Sequence, residues 1–177
     1  FPQKKVMALE TLPNRELPYS TEAEKAVLGG IMLKNETWDL ISDLVKEDDF
    51  HKEEHKLIYR TINDLQDAGK PVDVITVQEA IEGNGDLPKL INSGGKDYLA
   101  LLAKETPSVA NIQSYADIIK QRSNLRRLII AADNISKVAK ESDASGSDRI
   151  IDEAEEKILS LRDDLNRSVG PREVKEL

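Results

Sequence analysis

The chain has 177 residues, with 25 Lys and Arg against 33 Asp and Glu for a formal net charge of −8. That acidity opposes a domain-wide phosphate-binding surface, and aromatics at 4% of residues leave little for a base-stacking platform. The absence of cysteine excludes disulfides and thiolate metal sites and suits a reducing, cytoplasmic setting; no apolar run approaches the ~20 residues of a membrane span, and no signal-peptide pattern precedes the fold.

Residues 1–17 lack periodicity and contain Pro2 and Pro13, which reads as a flexible leader. A helix start follows. Ser20 or Thr21 serves as N-cap, Thr21 and Glu24 have capping-box spacing, and Glu22 and Glu24 lie at the positive end of the helix dipole. Ala23, Val27 and Ile31 recur every fourth residue and form one apolar face. Asn35 is placed to cap a second helix carrying Trp38, Ile41, Leu44 and Val45. A third covers residues 51–68, with Ile58, Ile62 and Leu65 on one face, Gly69 at C′ and Pro71 beyond it. Thr76 and Glu79 make another capping box, opening a short helix through Ile81 that stops at Gly83-Asn84-Gly85. Gly94-Gly95 precedes a short helix with Tyr98, Leu99 and Leu102, which Thr106-Pro107 breaks.

Residues 111–141 contain neither Gly nor Pro, which predicts a single helix of about 31 residues and ~45 Å. Ile118, Leu125, Ala132 and Ala139 are spaced by seven, and Leu128 and Ile135 fill the d-type positions between them. After a polar turn at residues 142–147, a return helix carries Ile151, Ala154, Ile158, Leu161 and Leu165 at the 3-4 spacing of a coiled-coil seam. Two such helices make an antiparallel hairpin. Residues 166–177, with Gly170-Pro171, read as the start of a linker. No segment alternates with period two, so the chain is expected to be all-α: a globular helical subdomain over 18–107, then a hairpin over 108–165. The hairpin either folds back on its own bundle or pairs with another copy, and pairing is the expectation.

His51-Lys52-Glu53-Glu54-His55 matches the H-x-x-E-H pattern of inverted zinc proteases, and histidines four apart share a helix face. These are the chain's two histidines, a third ligand would be an unmarked carboxylate, and His51 falls where a helix is starting. They read as solvated polar positions of a first helical turn, and no metal site is expected. Nucleotide chemistry is also missing from the pattern: Gly94-Gly95-Lys96 is followed by Asp97, and Leu90 stands where a P-loop needs its first Gly. There is no Cys nucleophile and no Gly-x-Ser-x-Gly elbow. Asp48-Asp49 and Asp163-Asp164 read as solvated carboxylates. Lys120, Arg122, Arg126 and Arg127 read as a solvated helix face, with local nucleic-acid binding as the sharper alternative. No catalytic site and no cofactor are expected in this chain.

Pro18-Tyr19-Ser20-Thr21-Glu22-Ala23-Glu24-Lys25-Ala26-Val27-Leu28-Gly29 resembles the opening of the N-terminal domain of DnaB-family replicative DNA helicases, Pro-x-Ser-x-Glu-Ala-Glu-x-x-Val-Leu-Gly. Asp49-Phe50 with His55 and Ile58-Tyr59 is similar to that family's Asp-Phe-Tyr…His…Ile-Phe segment, with His51 in the usual Tyr position. Pro71-Val72-Asp73-Val74-Ile75-Thr76, Gly94-Gly95-Lys96-Asp97-Tyr98-Leu99, the stretch from Thr106 to Ile112, Tyr115-Ala116-Asp117-Ile118-Ile119 and Leu125-Arg126-Arg127-Leu128-Ile129 continue the match in register.

The resemblance implies an all-α domain whose hairpins pair into dimers, three of which form a collar over a hexameric ring of ATPase domains. It implies docking of primase through primase's C-terminal helicase-binding domain, contact with a helicase loader, and weak or indirect contact with DNA. ATP and magnesium would belong to the motor of the full-length protein. Tyr98, as a partly exposed interface anchor, together with Ile129 and Ile135, are the implied primase-contact candidates. Ile118, Leu125, Leu128, Ile151, Ile158 and Leu161 are the candidates for the self-association seam. A stand-alone helical adaptor or helicase-loading accessory protein sharing the fold is the alternative.

Overall fold

The computed structural model describes residues 16–168. The leader expected over 1–17 and the linker expected over 166–177 therefore lie largely outside the described residues. Seven α-helices and short tight turns account for the architecture, with no strand among the described residues. Helix α1 (Thr21–Leu33) starts where Ser20 Oγ accepts the Ala23 N–H at 3.2 Å, so Ser20 is the cap. Thr21 and Glu24 do not form the expected box, because Glu24 is buried and engaged elsewhere. A tight turn over Asn35–Thr37 leads into the single-turn α2 (Trp38–Ile41), shorter than the helix expected to reach Val45.

Helix α3 (Glu53–Asp67) starts two residues later than expected, so His51 precedes it. Gly69 takes the left-handed conformation (φ 66°) that ends the helix. Helix α4 (Val74–Gly83) is capped by Asp73, not Thr76: Asp73 Oδ1 accepts the Thr76 N–H at 2.8 Å and Thr76 Oγ1 accepts the Asp73 N–H at 2.9 Å. Helix α5 (Asp97–Lys104) follows the Gly94-Gly95 turn.

Helix α1 lies at the centre of the head, against α5 on one side and the first turns of α6 (Ile112–Glu141) on the other. Gly29 and Gly30 permit that approach. A Cβ on Gly29 would stand 2.9 Å from the carbonyl carbon of Leu102 and closer still to its oxygen; one on Gly30 would stand 2.9 Å from Ile112 Cδ1. Around this crossing Val27, Leu28, Ile31, Phe50, Ile58, Ile62, Ile81, Leu99 and Leu102 are fully buried. Each such side chain contributes about 1.5–3 kcal/mol.

Ile112, Ala116 and Ile119 belong to the same core. The division expected at 107/108 is therefore displaced: the first turns of α6 complete the head, and only the remainder forms the hairpin with α7 (Ser147–Ser168). A helix without Gly or Pro has no break at which to divide. Helix α7 also runs three residues past the expected boundary at 165.

Candidate interaction surface

Two buried carboxylates organise the root of the hairpin. Asp49, at the end of the loop before α3, is fully buried. Its side chain accepts from the Lys46 N–H at 2.8 Å, Ser123 Oγ at 2.7 Å, Lys120 Nζ at 3.1 Å and Arg127 at 3.0 Å. Arg126 donates to the Asp49 carbonyl oxygen at 2.5 Å and to that of Pro18 at 2.8 Å, strapping the segment before α1 to the same place. Burial lowers the Arg126 pKa from its ordinary value, against the pull of Glu24 and Asp49. The basic cluster on α6 is thus not a solvated face. Three of its four cations turn inward onto one loop, and Arg122 alone stays exposed at the groove described below. Asp49 is likewise not a solvated carboxylate.

Glu24 holds the loop's far end. Its carboxylate accepts the His51 N–H at 2.5 Å and stands 2.5 Å from His55 Nδ1, itself fully buried. In the tautomer whose Nδ1–H donates to the Glu24 carboxylate, Nε2 accepts from the Tyr98 hydroxyl at 2.7 Å. This chain ties α1, α3 and α5 together. Both ring nitrogens of His55 are occupied, while His51 lies outside the helix with its ring stacked on Tyr19 at 4.3 Å. The two histidines are therefore parted rather than convergent, and His55 is not the solvated residue expected. Among the described residues no group of three or more His, Asp or Glu is placed to hold a metal ion.

Tyr98 was expected to be partly exposed, and the structure places it otherwise. It is 7% exposed, and burial with the nearby Glu54 and Glu24 carboxylates pushes its pKa up to about 12. Its hydroxyl is committed to His55, so it braces the head from within.

Most of the large exposed apolar residues lie on the two hairpin helices, although Leu33, Leu40, Ile75, Ile91 and Leu101 are exposed on the head. Leu125, Leu128 and Ile158 are 43%, 47% and 44% exposed and, with Leu161 and Leu165, line an open groove of ≈470 Å³ between α6 and α7. Arg122, Arg127 and Arg162 border it. Four of the six expected seam residues thus meet in one place. Ile118 lies two turns of α6 toward the head, and Ile151 lies toward the hairpin tip; both are exposed. Ile135 packs inside the hairpin against Val138, Ile150 and Ala154, whereas Ile129 is exposed on α6. Lys157 Nζ donates to Asn134 across the pair.

A closely packed helical head, a two-helix hairpin and an exposed apolar groove between its helices define a helical domain with a large apolar surface left open. The chain belongs to the family of DnaB-like helicase N-terminal domains, whose model matches residues 16–121. It is 41% identical over 163 residues to the replicative DNA helicase DnaB of Buchnera aphidicola subsp. Baizongia pistaciae, covering 92% of this chain and 35% of that one. With DnaB of Haemophilus influenzae the identity is 38% over 158 residues, covering 89% and 33%. The chain therefore spans about a third of the length of the curated relatives it matches. Among solved structures, the N-terminal domain of DnaB helicase from Mycobacterium tuberculosis superposes with a TM-score of 0.73 at 29% identity, covering 81% of this chain and 99% of that one. A DnaB-like replicative helicase solved for its interactions with primase gives 0.64 at 25% identity, covering 80% and 31%.

Proposed function

We propose that this chain is the scaffolding part of a replicative DNA helicase, working at the replication fork in the bacterial cytoplasm. It joins copies of the protein through their hairpins, dimer to hexamer, and receives primase through primase's C-terminal domain. The observation that carries this reading is the exposed apolar groove on a hairpin rooted in a rigid head. Such a surface is buried by association, and several Leu and Ile side chains at ~1.5–3 kcal/mol each suffice to hold a dimer. Leu125, Leu128, Ile158 and Leu161 form its centre, with Ile118 and Ile151 flanking. Ile129 offers an exposed contact for primase, while Ile135 and Tyr98 keep the surface in shape from beneath. The similarity to a DnaB-like replicative helicase described with its interactions with primase supports this partner.

ATP-driven unwinding, with magnesium, belongs to the remainder of the relatives' length. The chain carries no Gly-x-x-x-x-Gly-Lys-[Ser/Thr] sequence to cradle a nucleotide. A helicase loader is a further partner, and DNA would meet this part only weakly or indirectly, since Lys120, Arg126 and Arg127 of α6 are spent on the Asp49 loop. Native mass spectrometry of the chain, alone and with the C-terminal domain of the cognate primase, tests the reading. Dimers or hexamers that take up the primase domain are expected. A monomer that ignores primase would sink it in favour of a stand-alone adaptor.

A further inference from the structure

Three side chains clasp residues 16–20, the strap ahead of α1, onto the head. Arg126 of α6 donates to the Pro18 carbonyl at 2.8 Å. The Tyr19 ring stacks on that of His51, with centroids 4.3 Å apart and planes inclined by 16°. Lys52 Nζ stands 5.0 Å from the centroid of the same Tyr19 ring. The Tyr19 hydroxyl turns back to Glu16 at 3.3 Å, a bond internal to the strap. Of the three clasping groups, His51 is the one whose charge ordinarily changes between about pH 5 and 8. Charged groups from every neighbouring element face it: Glu24 of α1, Lys52 beside it in the loop, Lys56 of α3 and Arg126 of α6. The Glu24 carboxylate is already shared among the His51 N–H at 2.5 Å, the Lys52 N–H at 3.4 Å and His55 Nδ1 at 2.5 Å. A proton on the His51 ring thus adds a fourth cation around one committed anion. The π face of Tyr19 attracts a cation, but Lys52 already stands over it.

We propose that the strap is an acid-released latch: protonation of His51 lets residues 16–20 lift from the loop ahead of α3 and uncovers Arg126 at the root of the hairpin, while the head stays folded. The sign follows from linkage. Burial, and then Arg126, lowers the His51 pKa from its ordinary value, so the clasped strap takes a proton less readily than an open one. Acid therefore favours opening, from about pH 6.5 downward. The bonds that join Glu24, His55 and Tyr98 do not pass through the strap, so α1, α3 and α5 remain tied when it lifts. Arg126, 7% exposed in the clasped form, keeps the Asp49 carbonyl and turns its other donor to solvent. Its neighbours Leu125 and Arg127 line the groove, so release adds a free cation to that groove's head end.

Proteinase K cleavage of the Tyr19–Ser20 bond, followed by mass spectrometry, reads the population of the lifted strap. Rates are divided by those of a free peptide of residues 14–24, which removes the protease's own pH dependence, and circular dichroism is recorded alongside. Between about pH 7.5 and 5.5 the normalised rate is expected to rise severalfold with helical signal unchanged. His51→Phe keeps a ring on Tyr19 without a proton to gain, and is expected to stay slow at both pH values. His51→Gln removes the ring and is expected to be cleaved faster than the parent at pH 7.5, with no further rise in acid. A parent rate that is flat with pH overturns the latch. So does a His51→Phe rate that rises as the parent's does, or a rise that accompanies loss of helix.

Discussion

Gly29→Ala places one methyl group where α1 crosses α5. The new Cβ would stand 2.9 Å from the Leu102 carbonyl carbon, and nearer to its oxygen and to Thr106 Oγ1. Those two oxygens are already bonded to each other at 2.8 Å, so neither swings away without loss. Most of the obstruction is backbone, so relief requires the two helices to separate and drags Val27, Leu28, Leu99 and Leu102 out of contact. Overpacking ordinarily costs about 1–3 kcal/mol, and a backbone clash in a fully buried crossing falls at the top of that range or above it. Alanine's better helix propensity returns at most ~1 kcal/mol. A net loss of about 2–3 kcal/mol lowers the melting temperature by roughly 5–10 °C for a chain of this size. Gly83→Ala supplies the control. Gly83 has ordinary helical backbone and nothing within 4 Å of its Cβ position, so the same substitution there gains roughly 0.4–1 kcal/mol. Differential scanning calorimetry of the two variants should give shifts of opposite sign. A Gly29→Ala variant as stable as the parent would refute the close crossing.

Asp49→Ala removes the acceptor for Ser123, the Lys46 N–H, Lys120 and Arg127 at once. Breaking a buried charged cluster from one side costs about 3–5 kcal/mol, read by urea denaturation, whereas Lys120→Met, whose ammonium is partly exposed, costs under half of that. His51 has its pKa lowered, first by burial and then by Arg126. The unfolded imidazole therefore binds protons more readily than the folded one, and stability falls as pH drops below about 6.5. His51→Phe keeps a ring on Tyr19 and should flatten the slope between about pH 6.5 and 5. Burial raises the pKa of both Tyr59 and Tyr98, so stability present below about pH 10 is lost as pH climbs toward 12. Phenolate absorbance should show the two ionising with alkaline unfolding, and Tyr98→Phe should halve that delayed step.

The helices and the hairpin were legible because they rest on local signals: capping hydroxyls, Gly at left-handed positions, and a long stretch without Gly or Pro. The buried polar groups were less so, for different reasons. Glu24 fits a capping box by spacing alone, yet it also falls in the row of Val27 and Ile31, where a carboxylate on an apolar face signals a buried partner. Asp49 sits in a loop, its side-chain partners Lys120, Ser123 and Arg127 lie more than 70 residues away, and no periodicity reports that. The hairpin seam shows a third kind of difficulty. Helix α6 serves two neighbours in succession: Ile112, Ala116, Ile119, Ser123 and Arg126 face the head, while Leu128, Ala131, Ile135 and Val138 face α7. A single heptad stripe through 118, 125, 132 and 139 runs between those faces, so it names the exposed edge of the seam as well as its centre.

The polar root explains how a hairpin of this length presents a defined surface. Apolar packing at the head is nondirectional and would tolerate small rotations of α6 about its own axis. The bonds from Asp49 reach Lys120, Ser123 and Arg127, positions spaced three and four apart along one side of α6, and Arg126 adds the loop carbonyl next to them. Hydrogen bonds have strict geometry, so this row fixes the rotation of α6 and hence the direction in which its other side faces α7. Leu125 and Leu128 lie within one turn of that anchor. The groove is therefore set by the same loop that closes the core, and loosening Asp49 should blur the groove before it unfolds the hairpin.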